Sequence, residues 1–178
     1  MTAGFLRDAA ATAAVVGFFA ASWFGWAQEA PPRSWRRALV AGSAVSLLTA
    51  VAGGLLAWRH WSDGTAFDAD TSRAFGVVVG IEVAAAGLGA GLLAVRRRTA
   101  LIPVWIALVV GLHLAPVAAL LRYPLLYVVA ALVTLVALAA VPLARSRSAA
   151  ISAVTGLATG TVLLAAALFS IGSALLWP

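Results

Sequence analysis

The chain contains no cysteine and no lysine, and only 10% of its 178 residues carry charge. The missing cysteine excludes disulfides, thiolate metal sites and cysteine nucleophiles. Soluble domains carry about 25% charged and about 45–50% apolar residues, so this chain, 63% hydrophobic, is not a water-soluble globule. All twelve basic residues are Arg, set in short clusters between apolar runs. No long basic stripe exists, so the net charge of +6 reflects membrane topology and no nucleic-acid partner is expected. What the chain has in quantity is apolar length, with a mean hydropathy of +1.04.

Six apolar runs follow one another, at about 9–27, 38–58, 75–95, 100–121, 125–144 and 149–177. A spanning helix needs roughly 20 apolar residues, and each run meets that length. The runs are apolar all round rather than alternating, which favours helices over barrel strands. The breaks between them are sharp. Pro31 and Pro32 with Arg33, Arg36 and Arg37 end the first run, and Arg96-Arg97-Arg98 ends the third. The expected architecture is a single all-α polytopic bundle of six helices over residues 1–178, arranged as three hairpins. The first run is read as a span and not as a cleaved leader, since Asp8 offsets Arg7 and bulky Trp23, Phe24 and Trp26 crowd any cleavage site. The last run exceeds the thickness of a bilayer and must tilt, kink or protrude.

Arg residues sort unequally between the two sides: eight follow runs one, three and five, and four lie at the N-terminus or after runs two and four. The richer side is expected in the cytoplasm, giving a multi-pass cell-membrane protein with both termini and residues 59–73 outside. Trp23, Trp26, Trp35 and Trp105 then fall at one interface, and Trp58, Trp61 and Trp177 at the other.

Two ionisable residues interrupt the apolar runs, Glu82 and His113. A charge at the bilayer centre costs about 2.5–3.5 kcal/mol even on the lenient insertion scale, so both are expected to face protein and to have partners. Glu82 precedes Arg97 by 15 residues and His113 follows it by 16. At 1.5 Å per residue both lie roughly 22–24 Å from that turn, so the third and fourth helices bring them to one depth. The expectation is contact between them, direct or through one water. Such a pair serves as a ligand or proton site, or as a polar clamp that fixes helix register; a third reading is a Glu82 that is simply protonated and bonded to a backbone carbonyl. Pro116, one turn after His113, frees the carbonyl of Leu112 and adds a polar spot to the candidate site. Pro103 falls in the first turn of its helix, where proline is well tolerated.

Small residues form stripes. Gly76, Gly80, Ala84, Gly87 and Gly91 fall within about 80° of one another at 100° per residue, with Glu82 about 200° away. This predicts close packing through glycine on one face of the third helix and protein on the other. Gly156 and Gly160 form a G-x-x-x-G in the sixth run. Such stripes serve packing within a chain or between copies, so a homo-oligomer is compatible with them. The 59–73 segment, with His60, Asp63, Asp68 and Asp70, matches no calcium or zinc signature and reads as a solvated loop, with Asp70 or Thr71 capping the third helix. Gly87-Leu88-Gly89-Ala90-Gly91 lies within a span and is no dinucleotide fingerprint. No Ser-His-Asp order or H-E-x-x-H occurs, and one membrane histidine does not make a bis-histidine haem site. No cofactor or metal is expected, and an enzyme is the weakest of the three readings.

The segment from Gly80 to Leu121, above all Pro103-Val104-Trp105 and Val110-Gly111-Leu112-His113-Leu114-Ala115-Pro116-Val117-Ala118, resembles a bacterial family of small multi-spanning integral membrane proteins, frequent in actinobacteria. That family carries a G-x-H-x-x-P-x-A pattern in one helix and a Glu in the helix before. Leu114 stands where members often have an aromatic. The resemblance implies the membrane fold and weight for Glu82 and His113, but no activity. The function expected is that of a membrane protein binding or moving a small molecule or proton, or a partner-binding subunit in which the pair is a clamp.

Overall fold

The computed structural model describes residues 2–177. It contains six helices long and apolar enough to cross a membrane: α1 (Leu6–Ala27), α2 (Arg36–Arg59), α3 (Ala69–Val95), α4 (Ile102–Leu120), α5 (Leu125–Ser146) and α6 (Ile151–Leu175). All six apolar runs are therefore helices. Their ends differ from the runs because caps and turns, not hydropathy, stop a helix. α3 begins six residues before its apolar run, at Ala69. Asp68 is its N-cap and accepts from the Thr71 amide at 2.7 Å. The cap is thus neither Asp70 nor Thr71; Asp70 lies in the first turn, where the helix dipole favours an acid. The Thr71 amide holds the Asp68 carboxyl below its ordinary titration range.

The three tight turns share one device. Arg97, Arg122 and Ser148 each adopt a left-handed backbone, with φ of 54°, 49° and 48°. In each case the next amide reaches back to a carbonyl five residues earlier: Arg98 to Leu93, Tyr123 to Ala118 and Ala149 to Ala144. This is the Schellman closure, made here without glycine. It returns the chain within a few residues and sets the α3–α4, α4–α5 and α5–α6 hairpins.

The helices are not packed equally. α1 lies at the centre of one half, against both α2 and α6. A Cβ on Gly53 of α2 would sit 2.7 Å from the Ala14 amide, and one on Gly156 of α6 would sit 2.6 Å from the Trp23 carbonyl. Gly160 faces the Phe24 ring. Glycine brings backbones together at Gly53 and Gly156 and makes room for a ring at Gly160, so both glycines of the G-x-x-x-G pack within the chain. α4 packs on α5 with Gly111 against the Thr134 backbone. A buried hydrogen bond of 2.9 Å between Tyr123 and Ser170 ties the α4–α5 turn to α6.

α3 differs. It packs on α4 but on neither α1 nor α2, and has no buried residue. The stripe of Gly76, Gly80, Gly87 and Gly91 is exposed, and a Cβ on any of them would meet nothing within 4 Å. The expected glycine packing of this helix is corrected accordingly. The glycine it uses is Gly89, off the stripe, which seats the Trp105 indole while Trp105 donates to the Ala85 carbonyl at 3.0 Å. Trp105 is therefore an α3–α4 contact, and Trp23, 5% exposed and stacked on Trp26, is a core residue; neither is a free interfacial anchor. Trp58 and Trp61 remain exposed.

Candidate functional site in the cleft beside helix three

Glu82 and His113 meet as their equal distance from Arg97 leads one to expect. Glu82 Oε1 lies 3.2 Å from His113 Nδ1, with side-chain exposures of 19% and 17%. The same Nδ1 lies 2.9 Å from the Val110 carbonyl. A carbonyl only accepts, so in this arrangement Nδ1 carries the proton and donates to Val110, with Glu82 alongside. The helix itself thus fixes the tautomer, and Nε2 is left as the exchangeable position.

The pair is not packed shut. It lines a cavity of about 400 Å³ between α1, α3 and α4, where the backbones of α1 and α3 stand apart. α1 contributes residues from Asp8 to Trp23, α3 contributes Phe75, Val79 and Glu82, and α4 contributes His113 and its apolar neighbours. Leu126 and Leu163 close the inner side. The lining is mostly apolar with a few converging polar groups, the usual make-up of a small-molecule site. Pro116 does not line it. Its ring is exposed on another part of α4, so the Pro116 part of the candidate site is corrected.

The segment between α2 and α3 closes one end of the cavity instead of lying free in solvent. Asp8, 5% exposed, accepts from the Thr65 hydroxyl and the Ala66 amide, both at 2.7 Å. Each carboxylate oxygen thus has a donor, and its place in the first turn of α1 adds the attraction of the helix N-terminus. Arg7 donates to the Trp61 carbonyl at 2.8 Å and lies 3.7 Å over its ring. Gly64, with φ of 86°, makes the turn that brings the segment down beside Phe5. Phe67 then enters the cavity wall edge-to-face with Phe75, 5.2 Å between centroids. Asp8 escapes a reading of the sequence because an acid beside Arg7 at the start of a span looks like a flank. The only signal was its place in the first helical turn. His60 pairs with Asp63 near the surface, and no group of three metal-ligating side chains occurs among the described residues.

Compared with protein families, with curated proteins and with solved structures, the chain has no match. The site geometry therefore stands by itself.

Proposed function

We propose that this multi-pass membrane protein binds a small molecule in the cleft between α1 and α3, in a manner linked to protonation of the Glu82–His113 pair. One observation carries the reading: the pair faces a cavity of about 400 Å³ and is not enclosed by packing. A carboxylate beside an imidazole favours protonation of its free Nε2, and the charge state of the pair then depends on what occupies the cavity. The Arg distribution supports an orientation with both termini and the segment over the cavity outside the cytoplasm. The bacterial-family resemblance supports the importance of Glu82 and His113 and assigns them no task.

A second reading has an observation of its own. Among the described residues α4 is the only helix on which α3 packs, and the pair bridges these two helices. An interhelical polar contact at that place suits a clamp that sets register.

The chain has only two histidines, His60 and His113, so ¹⁵N-histidine spectra of the protein in nanodiscs resolve the question. A proton-linked site requires His113 to titrate between about pH 5 and 9 and its titration to change in Glu82→Gln. A His113 that holds one protonation state throughout, with Glu82 present or replaced, overturns the reading in favour of the clamp.

A further inference from the structure

We propose that the ligand of this cavity is a slender lipophilic cation, an alkylammonium-type amphiphile. The inference rests on the reading of the cleft as a ligand site and adds the class of ligand. Charge is the first argument. Asp8 and Glu82 both line the cavity, and no Arg lines it among the described residues. Arg7, the nearest in sequence, is turned to the Trp61 carbonyl and ring. Both Asp8 oxygens accept from neutral donors, so its charge has no cationic partner. An anionic head would meet unopposed carboxylate. A cation completes the balance.

Aromatic lining is the second argument. Phe19, Trp23, Phe67 and Phe75 line the wall, and aromatic faces hold alkylammonium groups through their negative quadrupole. Shape is the third. From Asp8 to Trp23 the wall follows α1 for about 22 Å at 1.5 Å per residue. The cleft is therefore long and suits an extended molecule better than a compact one.

Equilibrium binding of radiolabelled decyltrimethylammonium, decanol and decanoate to the protein in nanodiscs, corrected with empty nanodiscs and kept below micelle formation, tests this. The expected result is saturable binding of decyltrimethylammonium, weakened at least about tenfold in Glu82→Gln. Val79→Trp, which fills the cavity and leaves every charged group in place, is expected to abolish it, and keeps the test alive if Glu82→Gln does not fold. Decanol or decanoate binding as tightly as the cation overturns the charge preference. If their binding is lost in Val79→Trp, the cavity reading survives that outcome. No saturable binding of any of the three probes by folded protein overturns both.

Discussion

Gly156 and Gly80 carry the same sequence signal, a small residue in a stripe of small residues on an apolar helix, and end in opposite places. On α6, Gly156 touches the backbone of α1. On α3, Gly80 faces open space. The α1–α2–α6 half is joined by backbone-to-backbone approach, whereas α3 stands off and leaves a cleft. In water an unpacked apolar helix would be unstable. In a bilayer, lipid covers it at little cost, since helix association there draws on packing and not on a hydrophobic drive. A helix can therefore stay lightly attached, and a cavity can persist beside it.

The largest effect that sharpens this contrast comes from adding one methyl to each helix. Gly156→Ala forces a Cβ against a carbonyl that belongs to a helix backbone and cannot yield, and is expected to destabilise by about 1–3 kcal/mol. Gly80→Ala is expected to be neutral or to stabilise by up to about 1 kcal/mol, through the greater helix preference of alanine. Denaturant titration in detergent compares the two. Equal destabilisation would break the contrast and show that the α3 stripe has a partner, such as a second copy.

A similar loss is expected at the closed end of the cavity. Asp8→Asn exchanges a carboxylate that accepts two hydrogen bonds for an amide with a single acceptor, leaving the Thr65 hydroxyl or the Ala66 amide poorly matched. The expected cost is about 1–3 kcal/mol, concentrated in the 60–68 segment. Hydrogen exchange of the Ala66 and Phe67 amides measures it. Unchanged protection would mean that the segment is held by Phe67, Gly64 and Arg7 without the carboxylate.

The smallest effect is a matter of pH. The Asp68 carboxyl titrates below its unfolded value, because its ionised form accepts from the Thr71 amide. Its contribution is therefore present above the unfolded pKa and is lost as pH falls through the lower folded value. Exchange of the first α3 amides should quicken over that acid range in the native chain and stay level in Asp68→Asn, which keeps the cap without the charge.

The contrast also shows where a sequence is legible. Six spans follow from the length of apolar runs, because a helix satisfies its own backbone groups in lipid and runs apolar on every side do not suit barrel strands. Contact between Glu82 and His113 follows from counting residues on either side of Arg97, because a tight turn between straight helices turns equal spacing into equal depth. The glycine stripe of α3 misled, because composition shows that a helix can pack closely but not that a neighbour is present. Pro116 misled in a related way: adjacency along α4 did not place it on the cavity wall. The role of Asp8 needed the fold, since its donors Thr65 and Ala66 are more than fifty residues away in sequence.

The claim that Glu82 and His113 face an accessible cleft is tested most directly by single-cysteine labelling, for which the cysteine-free chain is a clean background. Val79 lines the cleft, while Ile81, two residues on, is 65% exposed on the outer side of α3. Thiol reagents attack the thiolate, which does not form in hydrocarbon, so labelling by a water-soluble reagent in nanodiscs reports water at each position. The expected result is rapid labelling of Val79→Cys and little or none of Ile81→Cys. Val79→Cys labelling no faster than Ile81→Cys would mean that the cleft is dry and closed, and would contradict a ligand site at the pair.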